Sequence, residues 1–249
     1  PSSFEARTRG DETGMSTAAP WTESELEEQL RAQKGRYHDL HPFHVRMNAG
    51  ELTREELSLW AANRFYYQRS IPMKDAAIMS NCPDHAVRRE WIQRIIDHDG
   101  TGEEGGGIDR WLRLGEAFGV SQEDLLSERF LLPAVRFSVD AYLNFCRRQP
   151  WIIAVASSLT ELFGPVAIAE RIPALEKHYP WLDSEGLTYF RRRLHQAPRD
   201  ANYALSLVLL HCRTRELQER AVAALQFKCD LLWAQLDAID LGDTRPIVD

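Results

Sequence analysis

From residue 21 to residue 240 the large apolar side chains recur at steps of three and four, and no run between turn signals alternates apolar with polar as a half-buried strand requires. That periodicity predicts an all-α chain. Ser24 with Glu27 has the pattern of a capping box, and Leu26 and Leu30 carry a first helix that ends near Gly35. Thr53 with Glu56 repeats the pattern ahead of Leu57, Trp60, Ala61 and Phe65, and Pro72 suits the first turn of another helix because its missing N–H costs nothing there. Further helical periods cover 85–97, 108–118, 122–128, 135–147, 152–163, 187–195, 201–212 and 217–239. About eight helices with mostly short connections imply a compact single-domain bundle around one core.

Residues 1–20 are rich in Ser, Thr, Gly, Ala and charge, and read as a flexible tail that cannot repay its ordering entropy. Residues 21–240 form the helical domain, and 241–249 read as a second tail or a linker. With 30 basic against 37 acidic residues the net charge is −7, which argues against a sequence-independent hold on nucleic acid or on an anionic membrane. An anionic ligand must therefore meet a local cationic site. The uncharged stretch at about 150–160 is much shorter than the roughly 20 residues of a membrane span. No basic start leads into an apolar leader, so the cytoplasm is the expected location. Cys82, Cys146, Cys212 and Cys229 form no CxxC pair and read as small buried hydrophobes.

Three polar pairs stand at i, i+4 on otherwise apolar helices: Arg64 with Gln68, Arg94 with His98, and Tyr189 with Arg193. An arginine among Ala61, Ala62, Phe65 and Tyr66 needs a partner, since an unpaired buried charge costs several kcal/mol. Each arginine could reach the surface or pair with an acid of the protein; if several face one cavity, they suit a ligand with more than one carboxylate. His38, His41 and His44 are spaced HxxHxxH, but three-residue steps on a helix do not bring all three to one face, and no metal is expected there. No glutamate precedes a histidine by three residues, as a di-iron carboxylate bundle would need. Gly100, Gly102 and Gly105 spell GxGxxG, yet they follow a helix and enclose Glu103 and Glu104, which would repel a pyrophosphate. Phosphate-loop, GxSxG and HExxH motifs are absent. Lys228, within LQFKCDLLW, is either buried with a lowered pKa or paired with an acid such as Asp230.

Several long segments resemble the pyrroloquinoline-quinone synthase family: RYHDLHPFH (36–44), ANRFYYQRSIPMKDAAIMSNCPD (62–84), QRIIDHDG (93–100), WLRLGEAFG (111–119), AYLNFCRR (141–148), SSLTELF (157–163), HYPWL (178–182) and LQFKCDLLW (225–233). The resemblance runs from about residue 21 to residue 240. It implies a haem-oxygenase-like bundle, a homodimer, and an oxidase that needs neither metal nor organic cofactor. The implied substrate is a reduced bicyclic quinone precursor bearing several carboxylates. Its amino group closes a third ring, and dioxygen takes up electrons and protons to leave peroxide and water. Other proteins of the same biosynthesis are implied as partners.

By the same resemblance, Arg64, Gln68, Lys74 and Arg94 are expected to contact substrate carboxylates and carbonyls, with Tyr37, Tyr67, Thr160, Glu161 and Arg171 lining the pocket. His98 corresponds to a histidine near the reacting carbon and oxygen, Tyr189 and Arg193 to its partners in holding dioxygen or peroxide, and His38, Tyr142 and Lys228 to positions suited to proton handling. The chain departs from the family where ELF usually continues APxIH: it reads ELFGPVAIAER, so Ile168 stands at the expected histidine. Two other readings compete. A thiaminase-like hydrolase of the same architecture would need a cysteine nucleophile in the pocket, such as Cys82 or Cys146, and a quinone carrier would bind without oxygen uptake.

Overall fold

The computed structural model describes residues 18–242, so most of the expected tails at 1–20 and 241–249 lies outside the described residues. Eleven α-helices succeed one another: α1 Glu23–Arg31, α2 Pro42–Ala49, α3 Arg54–Asn81, α4 His85–Asp99, α5 Gly107–Ala117, α6 Gln122–Leu126, α7 Pro133–Arg148, α8 Trp151–Ser157, α9 Gly164–His178, α10 Thr188–His211 and α11 Arg215–Leu241. Short 3₁₀ turns at Ala32–Arg36, His38–Leu40, Ser158–Leu162 and Ser184–Leu187 join them. No strand forms among the described residues, and the all-α expectation holds.

The differences from expectation have local causes. The capping box of α1 is Thr22 with Glu25, not Ser24 with Glu27: both pairs have the same spacing, and the earlier one adds to the helix. Pro72 lies inside α3 instead of opening a helix, and Ile71, Lys74, Asp75 and Ile78 are buried on either side of it. Expected helices 187–195 and 201–212 are one helix, α10, whose internal Pro198 faces solvent, where water can serve a freed carbonyl. Segment 152–163 divides into α8 and a 3₁₀ turn, and α9 follows in a stretch for which no helical period was read. In α9 Pro165 occupies the first turn, the position where proline is tolerated.

The segment Trp151–His178 is apolar enough to pass for a membrane span by length and composition, but most of its apolar window is buried inside the bundle. Around it runs one continuous core. Trp60 of α3 packs against Trp111, Phe118 and Phe190, with ring centroids 5.7, 5.7 and 6.4 Å away. Buried polar groups fasten the connections to this core. The Asn63 amide donates to the carbonyls of Leu59 and Phe130 and accepts from the Leu132 N–H, which fixes the chain entering α7. The Tyr179 hydroxyl joins the Leu52 N–H to the Met47 carbonyl. Arg36, His41 and Arg46 pair with Asp230, Asp237 and Asp240, tying the segment before and through α2 to one face of α11.

The glycine-rich loop wraps the C-terminal end of α4. Gly100 ends that helix with φ +84°, and a Cβ on Gly106 would stand 2.2 Å from the His98 carbonyl oxygen. Gly100 and Gly106 thus serve a close backbone approach, whereas nothing lies within 4 Å of a Cβ on Gly102, so the GxGxxG spacing as such is not what the turn requires. Gly106→Ala is expected to lower stability by about 2 kcal/mol or more, an overpacking cost measurable by urea denaturation. A substitution that left the midpoint unchanged would show that the loop can move away from His98.

Candidate active site

Two helices present matching stripes to a central cavity. Arg64, Tyr67, Gln68 and Ile71 follow i, i+3, i+4, i+7 on α3, and Gly164, Ala167, Ile168 and Arg171 do the same on α9. Tyr189, Phe190, Arg193 and Ala197 come from α10, Thr160 and Glu161 from the 3₁₀ turn between α8 and α9, and Tyr37, His38 and His44 from the segment leading into α2. The cleft encloses about 770 Å³ between atoms, part of it open to solvent.

Ten of the fifteen residues singled out from sequence line this cavity: Tyr37, His38, Arg64, Tyr67, Gln68, Thr160, Glu161, Arg171, Tyr189 and Arg193. Lys74, Arg94, His98, Tyr142 and Lys228 are not among its lining and lie buried behind it. Two of the three i, i+4 pairs thus converge, and the third supports them. The Arg94 guanidinium donates to both oxygens of Glu161 at 2.7 Å and to Asp75 at 3.2 Å, and it stands 3.6 Å from Asp200. Arg193 reaches the same Glu161 and Asp200 at 3.3 Å, while Lys74 pairs with Asp75 at 2.7 Å. Burial pushes the Glu161 carboxyl up, but the charges of Arg94 and Arg193 outweigh it and hold the group at about 2.

Arg64 and Arg171 differ from the other arginines of the site. Among the described residues neither has a carboxylate within salt-bridge distance. Arg64 donates to the Gln235 side-chain oxygen at 3.0 Å and lies 4.0 Å from the centre of the Tyr67 ring. Arg171 is 7% exposed, its Nε has no partner, and burial lowers its pKa to about 10, so it stays charged at neutral pH. An acidic chain therefore keeps two uncompensated cations at one cavity.

The imidazoles are held neutral. His98 Nδ1 is 2.9 Å from the Arg94 carbonyl, and burial, then the charge of Arg193, lower its pKa to about 4. His38 and His44 are held well below 6.5 by burial first. The HxxHxxH histidines do not gather as a metal set: His41 Nδ1 caps α2 by accepting from the Phe43 N–H, and its Nε2 faces Asp237. Among the described residues no group of three His, Cys, Asp or Glu is placed to hold a metal ion.

Tyr189 donates its hydroxyl hydrogen to the Gln68 side-chain oxygen at 2.7 Å, joining the two convergent pairs across α3 and α10. Lys228 Nζ has no hydrogen-bond partner and sits 3.3 and 4.1 Å from the ring centres of Tyr142 and Tyr67. Two desolvated aromatic faces favour the ammonium by about 2 kcal/mol each, against a burial cost of up to 3–5 pKa units. With the charges of Arg64 and Lys74 added to burial, the lysine pKa falls well below its usual range. It is buried without an acid; Asp230 is paired with Arg36 instead. All four cysteines are buried and free with raised thiol pKa values, and none lines the cavity.

Cavity residues that sequence reasoning did not assign to the pocket include His44, noted only for its HxxHxxH spacing, and Trp60, Ile71, Trp111 and Phe190. Trp60 and Ile71 extend the Arg64 stripe by one turn each way, so that helical period could have found them. The α9 stripe had no such signal, because no helix was expected there.

The family model described as the TENA/THI-4/PQQC family matches residues 27–238. A pyrroloquinoline-quinone synthase of Pseudomonas putida (strain W619) is 54% identical over 92% of this chain and 91% of its own length. One of Klebsiella pneumoniae (strain 342) is 56% identical over 87% and 86%. Among solved structures, a domain of unknown function with a heme oxygenase-like fold from Shewanella denitrificans has a TM-score of 0.72, with 16% identity, over 88% of this chain and 91% of its own. A TenA homolog from Pseudomonas syringae pv. tomato has a TM-score of 0.71 with 14% identity, over 88% and 92%. These likenesses establish the haem-oxygenase-like fold.

Arg171→Met is expected to leave the ligand-free protein as stable or to stabilise it by about 1 kcal/mol, because it removes an unpaired buried charge. Arg94→Met should cost about 3–5 kcal/mol by stranding Glu161 and Asp75. Denaturant titration of the two variants checks the contrast, and equal losses would refute it. Acid should act through the histidines: their folded pKa values lie below the unfolded value near 6.5, so stability is lost as pH falls from about 6.5. The shift of His98 from 6.5 to about 4 alone amounts to about 3 kcal/mol by pH 4. Melting temperatures measured from pH 7 to 4.5 should fall, with a shallower slope in His98→Asn.

Proposed function

The chain belongs to the TENA/THI-4/PQQC family, and we propose that it acts as a pyrroloquinoline-quinone synthase. Its substrate in this reading is the bicyclic, multi-carboxylate precursor 6-(2-amino-2-carboxyethyl)-7,8-dioxo-1,2,3,4,7,8-hexahydroquinoline-2,4-dicarboxylate. Ring closure by the precursor's amino group is followed by an eight-electron oxidation in which dioxygen is the acceptor and peroxide and water leave. The observation that carries the proposal is the pair Arg64 and Arg171, two cations without carboxylate partners lining a cavity in a chain of net charge −7. Substrate carboxylates would complete them, as bidentate arginine contacts do.

The position of each residue supports a role in this reading. Arg64, Arg171 and Gln68 bind and orient the ligand, with the Tyr37, Tyr67 and Thr160 side chains shaping the wall. Tyr189 and Arg193, joined to Gln68 and Glu161, face the cavity where a reduced oxygen anion could be stabilised without proton loss from the guanidinium. Lys74 and Arg94 act from behind by fixing Asp75 and Glu161. His98 Nε2 and Lys228 Nζ are unpartnered, the imidazole is neutral at neutral pH and burial lowers the lysine pKa well below its usual range, and beside Tyr142 and His38 they are the groups suited to move protons. The thiaminase-like reading gains no support, since no cysteine reaches the cavity.

The test is aerobic incubation of the purified protein with the ring-open precursor, following oxygen uptake, peroxide and the product spectrum, beside Ile168→Val and Ile168→His. Full conversion by the unaltered chain is expected. Arg64→Met and Arg171→Met should each weaken binding of pyrroloquinoline quinone by about tenfold or more, the loss of one charge-assisted contact. Tight quinone binding without oxygen uptake would replace the synthase reading with that of a carrier.

A further inference from the structure

His44 lines the cavity at 1% exposure, and nothing in the roles above uses it. Its tautomer follows from one contact: Nδ1 is 2.9 Å from the His38 carbonyl oxygen, which can only accept, so Nδ1 carries the proton and Nε2 keeps a bare lone pair. That Nε2 is buried and has no partner. Three other cavity-lining groups share the condition: His38 Nδ1, the Trp60 indole N–H and the Arg171 Nε–H. Leaving such groups unsatisfied is costly, so four at one cavity make a cost that a ligand can relieve. The His44 and Trp60 rings are 6.3 Å apart, and the Arg171 guanidinium lies 5.8 Å from the Trp60 ring centre.

We infer that His44 is a proton acceptor of this site, taking a proton at Nε2 from an O–H or N–H of the bound quinone precursor while Arg171 receives the negative charge left behind. The inference rests on the synthase reading. One proton moves; the electron pair of the broken bond stays on the ligand atom, and the imidazole becomes imidazolium. The groups facing His44 are Arg64 from α3, Arg171 from α9, and His38 and His41 from its own segment. Both arginines oppose a second positive charge in the free protein. Ligand carboxylates that neutralise Arg64 and Arg171 lift that opposition, so the base gains strength when substrate is bound.

His44→Asn tests this, because an asparagine amide can still donate to the His38 carbonyl yet offers nothing at the Nε2 position. The expected result is a folded protein whose kcat falls about 100-fold or more, within the range of a lost general base, with pyrroloquinoline quinone affinity changed less than threefold. Nitrogen-15 spectra of the unaltered protein should show an unprotonated Nε2 for His44 that shifts when the quinone is added, a readout that stands even if His44→Asn does not fold. Full turnover by His44→Asn, or a protonated Nε2, overturns the inference alone. An unaltered chain that fails to convert the precursor overturns the synthase reading and this inference with it.

Discussion

The Arg94 guanidinium organises the interior. It touches Asp75 from α3, Glu161 from the turn before α9 and Asp200 from α10, and so holds three separate stretches of chain to α4. Lys74 and Arg193 complete the buried set, three acids against three bases, and the half-exposed Arg199 joins Asp200 to Asp97 at its edge, a balanced network that burial can tolerate. Because the buried acids are consumed there, nothing remains to neutralise Arg64 and Arg171. The positive cavity is thus a consequence of how the neutral network is closed.

This explains what the sequence could and could not disclose about the site. The i, i+4 pairs Arg64 with Gln68 and Tyr189 with Arg193 were legible as polar interruptions of apolar helix faces, and both reach the cavity. Arg94 with His98 has the same signature and lies behind it. Spacing reports which side of a helix a residue occupies, whereas the partner across the core decides whether an arginine is neutralised. Arg171 was carried only by family resemblance, since no helix had been read through its segment.

The fold was legible where the apolar period ran unbroken, as in α4, α5, α7 and α11, and at the start of α3, where the Thr53 and Glu56 capping box agreed with it. It failed at proline. Pro72 reads as the start of a helix, and Pro173 and Pro198 fall between the helical periods, yet all three lie inside helices with buried residues on either side. A single lost hydrogen bond, about 3 kcal/mol with its steric cost, is outweighed by apolar side chains that each contribute about 1.5–3 kcal/mol on burial. Local punctuation is overruled where the surrounding core is large.

Ile168 bears on how such a cavity distributes proton-handling groups. It lies one turn before Arg171 on the same stripe of α9, so the groove between them is apolar on one side and cationic on the other. An imidazole at that position would stand beside a guanidinium that already disfavours its protonation. His44 meets the same cavity from α2, with its proton fixed on the far nitrogen by a backbone carbonyl. A base whose tautomer is set by the main chain needs no acidic partner, and in a cavity where every buried acid is already paired with Arg94, Arg193 or Lys74, a carbonyl is the orienting group that leaves the positive field intact for an anionic ligand.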